Sequence, residues 1–298
     1  MASKQVVMIT GASTGFGRLI AETLARHGYI VFATMRDPQG KNANNARELL
    51  ALAKRESLEL FTLELDVTSE ASVENAVRAA VGQAGRIDVA VNNAGYGISG
   101  LAESVTLAQA QQIMDTNFMG CQRVNRAVLP HMRRQRNGLL MHISSGAGRI
   151  VVPAFGFYCA SKFAMEALAE SYHYELASQG IESVIVQPGT YRTAVFGNMV
   201  FAGDTERSKT YGPAKDMPQK IDGVFASVAG DAQELADAIL RIVETPAGQK
   251  KLRYRVSPNS LGVDEINQVC ESVQTRVLEA FRLTTDTAFT QQKATAAD

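Results

Sequence analysis

The chain has no tryptophan, only three cysteines and four histidines in 298 residues, and its 30 basic side chains are balanced by 30 acidic ones. Each scarcity removes a class of protein. Cys121, Cys159 and Cys270 are odd in number and form no Cys-x-x-Cys pair, so a disulfide framework and a zinc site are both excluded and reduced thiols are expected. His27, His131, His142 and His173 are scattered without metal-ligand spacing and are read as structural, His142 being the one to watch. A formal charge of zero gives no footprint for nucleic acid or an anionic membrane. No apolar run approaches the ~20 residues that a spanning helix needs, and the first residues lead directly into a strand pattern with no room for a signal peptide. A cytoplasmic protein is expected.

What is present is ample core material, 46% hydrophobic against 20% charged, in a repeating order. Apolar runs at Val6 to Thr10, Ile30 to Thr34, Leu58 to Leu65, Val89 to Asn92, Leu139 to Ser144 and Ser183 to Gln187 alternate with helical patterns. Continuous rather than alternating apolarity marks strands covered on both faces, which predicts an α/β, doubly wound, mainly parallel sheet of the Rossmann kind. A single domain over residues 1–283 is the simplest division. Thr106 to Gln109 has the form of a capping box opening a long helix toward Asn117, a helix is expected after Asp231, and Leu252 to Val256 reads as a last short strand. Between 196 and 230 periodicity fails, which suggests a long structureless loop acting as a lid. Residues 284–298 are small and polar and read as a frayed tail or an arm onto another subunit.

Two motifs carry chemistry. Thr10-Gly11-Ala12-Ser13-Thr14-Gly15-Phe16-Gly17 joins a strand to a helix. Its glycines let backbone approach a pyrophosphate, and the first helical amides supply donors for it. The spacing departs from G-x-G-x-x-G, so alone it is equally a plain strand-to-helix turn. Farther on, Tyr158 follows Ser145 by thirteen positions and Lys162 follows Tyr158 by four. Helical neighbours four apart share a face, so a phenol and an ammonium adjoin, with a hydroxyl brought from the end of a strand. Singly, each has a bland reading: a packing tyrosine, a solvated lysine, a serine turn.

Taken in order, these segments with Asp66-Val67, Asn92-Asn93-Ala94-Gly95, Asn117, Pro188-Gly189 and Thr193 resemble the short-chain dehydrogenases/reductases of ordinary length, over roughly residues 4 to 195. The resemblance implies a carbonyl/alcohol oxidoreductase with Tyr158 as general acid/base. Nearby positive charge, from Lys162 together with oxidised nicotinamide, would lower the phenol's pKa; the resemblance further implies that Lys162 binds the nicotinamide ribose, that Ser145 holds the substrate oxygen, and that Asn117 anchors a relay water. Gly11, Ser13, Gly15, Phe16, Gly17, Asp66, Val67, Asn93, Ala94, Gly95, Tyr158, Lys162, Pro188, Gly189 and Thr193 would then line the cofactor. For Asp66 the rival role is capping the next helix. Met35 stands where NAD-dependent relatives carry an acid, and Arg36 follows it, so NADP(H) is expected with Arg36 on the 2'-phosphate; Asp37 is the competing residue.

Within the family the nearest resemblance is to 17-beta-hydroxysteroid and retinol dehydrogenase-like members, from the Ala-Thr-Met-Arg-Asp strand end and the C-terminal extension. Tyr96, Ile98, Val151, Val152, Phe155, Tyr191, Phe196 and Met199 make an apolar candidate wall, and Ser145, Tyr96, Val152, Tyr191 and Phe196 the candidate substrate contacts, for a bulky lipophilic ketone or aldehyde. A homodimer or homotetramer through the helices starting near Thr106 and Phe155 is implied, with no nucleic acid, membrane or metal. Two rivals remain: a non-catalytic NADP(H)-binding redox sensor, and a sugar-nucleotide epimerase or dehydratase sharing Tyr-x-x-x-Lys.

Overall fold

The computed structural model describes residues 4–191, 199–227, 230–257 and 261–289. Its strands in chain order are β1 (Val6–Ile9), β2 (Ile30–Met35), β3 (Leu60–Glu64), β4 (Val89–Asn92), β5 (Ile98–Ser99), β6 (Gly138–Ile143), β7 (Ile181–Pro188), β8 (Val200–Phe201) and β9 (Arg253–Val256). The helices are α1 (Gly15–Arg26), α2 (Ala43–Glu56), α3 (Glu70–Ala84), α4 (Leu107–Met114), α5 (Gly120–Gln135), α6 (Gly156–Leu176), α7 (Thr205–Lys209), α8 (Met217–Ser227), α9 (Gln233–Glu244) and α10 (Val263–Ala280). Seven strands form one sheet in the order β3-β2-β1-β4-β6-β7-β9, and every pairing in it is parallel.

Side chains on a strand alternate between faces, and here both faces are apolar. Val7, Ile9, Val31, Ala33, Val89, Val91, Met141 and Val184 pack under Ile20 and Leu24 of α1, Leu49 of α2, and Leu235, Ile239 and Ile242 of α9. Val6, Met8, Phe32, Ala90 and Leu140 face the other way, onto Val73, Val77 and Ala80 of α3 and Val124, Val128 and Met132 of α5. Fully burying one such Leu, Ile or Met is worth about 1.5–3 kcal/mol. Burial on both faces is why the strands read as continuous apolar runs.

The sheet reverses its winding between β1 and β4. In an open α/β sheet the crevice at the carboxyl ends of such neighbouring strands is where ligands bind, and both motifs found in the sequence end up there.

Three expectations need correction. The segment from 196 to 230 is not structureless where it is described. Val200–Phe201 pairs in parallel with Ile98–Ser99, and α7, a 3₁₀ turn (Gly212–Asp216) and α8 follow. It is tethered by Ser208 Oγ donating to Ser104 Oγ at 2.8 Å, by Arg207 to Glu103 at 2.9 Å and by Tyr211 to Glu103 at 2.7 Å. β8 and α7 are too short for a legible period, and α8 carries Pro218 and Gly223 within its eleven residues. The helix begun by the Thr106/Gln109 capping box does not run on unbroken, because a single π-helical turn (Asp115–Met119) interrupts it at Asn117. Finally, the polar tail is not wholly frayed: the ring of Phe289 sits so close over Gly248 that a Cβ there would lie 2.8 Å from it. The C-terminal extension also builds α10, an element the sequence reading leaves unassigned.

Candidate active site

The glycine turn leaves β1 in conformations that suit glycine. Gly11 has φ +66° and Gly15 φ +57°. A Cβ on Gly11 would lie 2.9 Å from the Ala94 backbone, and one on Gly17 would lie 2.5 Å from both Asn93 Nδ2 and the Gly11 carbonyl oxygen. The turn is braced against the end of β4. Asn93 Nδ2 donates to the Thr10 carbonyl at 2.8 Å and to that of Gly11 at 3.1 Å, while Thr10 Oγ1 accepts from the amides of Asn93 and Ala94, both at 3.0 Å. Thr14 caps α1 without a side-chain hydrogen bond, and no acidic residue occupies the first turn. A bare, positively polarised helix end beside a side-chain-free backbone cradle fits a pyrophosphate.

Arg36 and Asp37 lie just past the end of β2. The strand stops at Met35, whose side chain is buried in the core, and Arg36 is exposed just beyond it. Asp37, at φ +44°, turns its carboxylate back on its own loop and accepts from the amides of Gly40 at 2.9 Å and Lys41 at 2.7 Å. Asp66 accepts from the Thr68 amide at 2.9 Å and hydroxyl at 2.8 Å, closing a turn, whereas Ser69 is the residue that caps α3. Val67 is buried, with Gly120 close enough that a Cβ there would lie 2.9 Å from it.

On α6, Tyr158 and Lys162 are one turn apart, and Lys162 Nζ lies 5.8 Å from the centre of the Tyr158 ring. Lys162 is buried, and its ammonium donates to the Ile143 carbonyl at the end of β6 at 2.8 Å. Burial pulls its pKa down to about 8. Burial raises the Tyr158 phenol, and a hydrogen bond with Ser145 opposes that rise. Burial is thus the larger effect on the phenol in the cofactor-free protein. Ser145 caps a 3₁₀ turn (Gly146–Gly148), its Oγ accepting from the Ala147 amide at 3.1 Å.

Asn117 is fully buried and its side chain is committed to structure. Oδ1 accepts from the Tyr96 amide at 3.0 Å, and Nδ2 donates to the Tyr96 carbonyl at 2.9 Å and to Ser161 Oγ at 3.0 Å. Gly95 allows this approach, since a Cβ there would lie 2.9 Å from Asn117 Oδ1. An anchored water would have to use the Asn117 main-chain carbonyl, which accepts from Cys121 Sγ at 3.3 Å. His142 is buried, with its pKa pushed down to about 3 by desolvation and the nearby Lys162 charge, so it is a neutral core residue.

Of the expected substrate contacts, Val152 packs against the buried cluster of Ala147, Ala154, Phe155 and Cys159, which Tyr158, Met199, Met217 and Ile221 also border, and Tyr96 against that of Ile98, Val105, Ala110 and Ile113, which Phe157 and Tyr158 also border. Tyr191 is not brought to them. Its ring stands edge-on to Phe16 at 5.7 Å, and its hydroxyl donates to the Val256 carbonyl at 2.9 Å, because the chain after Pro188 is drawn toward β9 by the Gly189 amide bonding Val256 O at 2.9 Å. Phe196 and Thr193 lie outside the described residues. Sequence reasoning missed Met217 and Ile221, which α8 packs on the Ala147, Ala154, Phe155 and Cys159 cluster that Tyr158 also borders, and Glu166, buried on α6. Among the described residues no metal-binding group of His, Cys, Asp or Glu occurs and no helix is long and apolar enough to cross a membrane.

A seven-stranded doubly wound sheet, a glycine cradle at its switch point and a Tyr/Lys/Ser cluster beside it define a dinucleotide-binding oxidoreductase. The profile of the short chain dehydrogenases matches residues 5–201, and the chain belongs to that family. It is 38% identical over 207 residues to a 3-ketodihydrosphingosine reductase of Bacteroides thetaiotaomicron, covering 70% of this chain and 71% of that protein. It is 35% identical to human retinol dehydrogenase 8, with 86% and 84% covered. To human 17-beta-hydroxysteroid dehydrogenase type 1 it is 34% identical, with 85% and 77% covered. Among solved structures, a short-chain dehydrogenase from Streptomyces avermitilis superimposes with a TM-score of 0.75 at 29% identity, covering 94% of this chain and 98% of that one. An actinorhodin polyketide ketoreductase solved with NADPH gives 0.73 at 25%, covering 86% and 97%.

Proposed function

We propose that the protein interconverts a lipophilic ketone or aldehyde and its alcohol with NADP(H), using Tyr158 as general acid/base. The observation that carries this reading is the convergence of Tyr158, Ser145 and Lys162 at the carboxyl end of β6, next to the glycine cradle. Bound NADP(H) supplies or accepts the hydride. The chain's own residues do the rest. Gly11, Ser13, Gly15, Phe16 and Gly17 hold the pyrophosphate with backbone amides, and Arg36 takes the 2'-phosphate with a charge-assisted bond that no neighbouring carboxylate contests. Asp66, Val67, Asn93, Ala94, Gly95, Pro188, Gly189 and Thr193 line the remainder. Ser145 donates to the substrate oxygen and Tyr158 delivers or removes the proton there. A phenol raised by burial is a poor base, so phenolate must be favoured by positive charge in the loaded site, from Lys162 and the oxidised cofactor. The Asn117 main-chain carbonyl serves the relay.

Substrate class is inferred from the apolar residues Val152, Met199, Met217 and Ile221, which border the same small cluster as Tyr158, with Tyr96 and Phe196 kept as substrate contacts on the sequence reading; such a surface favours an apolar body over a sugar or an acid. Residues 1–283 are proposed as one catalytic unit, assembled as a homodimer or homotetramer in the cytoplasm, which size-exclusion chromatography and cell fractionation would check. The central test follows NADPH absorbance with a panel of bulky ketones and aldehydes, with Tyr158→Phe alongside and NADH in place of NADPH. Turnover that falls at least a hundredfold in the variant supports the reading; equal turnover in wild type and variant refutes it.

A further inference from the structure

Glu166 lies two turns beyond Tyr158 on α6 and is buried, although nothing in the chemistry above uses it. Its carboxylate is the centre of a closed set of bonds. Ser144, the residue before Ser145, donates its hydroxyl to Glu166 Oε1 at 2.8 Å. Gln187 Nε2, from β7, donates to both carboxylate oxygens, at 2.9 and 3.0 Å, and Arg253 Nε, from β9, donates to Oε2 at 3.3 Å. Arg253 is held in turn by Glu170, one turn farther along α6, at 2.5 Å. From α10, Asn267 Nδ2 reaches Gln187 Oε1 at 2.8 Å. The 3₁₀ turn capped by Ser145 closes over this set: a Cβ on Gly148 would lie 2.5 Å from Glu166 Oε1 and 2.6 Å from Ser144 Oγ.

We infer that Glu166 is a positioning residue, fixing Ser145 through Ser144, and that Gln187 and Asn267 extend this support to α10, so that the C-terminal extension helps set the catalytic loop. Three strands, one helix and the extension converge on a carboxylate one residue removed from Ser145. A serine hydroxyl that must meet substrate oxygen tolerates displacements of only about half an ångström, and a loop secured solely by its own 3₁₀ turn would not guarantee that. Burying a carboxylate is costly unless it is paired and hydrogen-bonded. Here each oxygen has at least two donors, so the group is satisfied and rigid. The extension lies beyond the stretch matched by the family profile, which ends at residue 201, so this support belongs to features outside that match.

The inference rests on the oxidoreductase reading only in giving Ser145 its role, so the test needs an arm that does not depend on turnover. Removing Glu166 itself would strand Arg253 and risk misfolding. The informative variants are therefore Asn267→Ala, which cuts the link to α10, and Gly148→Ala, which presses a methyl between Ser144 and Glu166. Hydrogen exchange is followed at the amides of Ala147 and Gly148, both bonded to Ser145, and at the amides of β1 and β2 as reference. Both variants should exchange at least fivefold faster at Ala147 and Gly148 with β1 and β2 unchanged, and in steady state kcat should fall fivefold or more while KM for NADPH stays within twofold. Unchanged exchange at the two loop amides would overturn the inference, and so would faster exchange spread equally through β1 and β2, which marks general loosening. If wild type reduces no carbonyl the oxidoreductase reading fails, yet the exchange comparison still decides whether the network holds the loop.

Discussion

Replacing Lys162 with methionine should make the cofactor-free protein gain stability relative to wild type as pH falls, while abolishing turnover. Lys162 is buried, its pKa drawn from 10.5 to about 8 by loss of hydration. Above pH 10.5 the amine is neutral both folded and unfolded and contributes nothing. As pH falls toward 8 the unfolded chain takes up a proton that the folded one resists, so stability is lost across that window and the full penalty stands below it. At 1.36 kcal/mol per pKa unit, the penalty is about 3 kcal/mol near neutrality and about 1 kcal/mol at pH ~9.5. Methionine carries no such penalty, though it leaves the Ile143 carbonyl without its 2.8 Å donor, a pH-independent cost of about 1–3 kcal/mol. The slope is therefore the test, not the offset. Urea unfolding of both proteins at pH 7 and ~9.5 should show wild type gaining about 2 kcal/mol on the variant between the two. A difference that stays flat, or runs the other way, would refute the claim that Lys162 is held charged against burial. Sacrificed stability of this kind is common where a site is built for activity.

Other outcomes follow from single contacts. Arg36→Asp should lower the NADPH/NADH preference in kcat/KM at least tenfold, since a charged hydrogen bond is worth roughly 1.5–3 kcal/mol; an unchanged ratio would remove Arg36 from the 2'-phosphate. Gly17→Ala places a Cβ 2.5 Å from a backbone oxygen that cannot step aside, so NADPH binding measured by calorimetry should weaken at least tenfold, and normal affinity would mean that the cradle is not the pyrophosphate site. Tyr191→Phe removes a bond to Val256 O away from the pocket. About 1 kcal/mol of stability should go while KM for a ketone stays within twofold, and a large rise in KM would restore Tyr191 to the substrate wall.

Much of the architecture was readable because the parallel sheet leaves a strong local trace. Strands β1, β2, β4, β6 and β7 are buried on both faces, so their residues are mostly apolar, with a few buried polar ones such as Thr34, His142, Ser183 and Gln187. The cradle and the Tyr158/Lys162 pair were readable for a related reason: close backbone approach admits only glycine, and helical spacing brings i and i+4 together in any context. The elements of the 200–227 segment were not, because two residues of strand or five of helix show no period, and the eleven residues of α8 include Pro218 and Gly223, both poor helix formers. Asp37 illustrates a finer limit, for a carboxylate two residues past a strand end can face a ribose or its own loop, and its bonds to Gly40 and Lys41 are visible only in the fold.

The sequence by itself determined the doubly wound sheet, the place of the dinucleotide turn and the chemical groups of the site, because each depends on local periodicity or on spacing along one helix. Tertiary structure alone decided which way shared residues turn. It sent Tyr191 to β9 rather than the pocket, packed Met217 and Ile221 on the same small cluster as Tyr158, and gathered Ser144, Gln187 and Arg253 around the Glu166 carboxylate, with Asn267 bonded to Gln187. Such contacts join residues up to 87 positions apart, and their partners are selected by packing and by the need to satisfy buried polar groups, neither of which leaves a pattern along the chain.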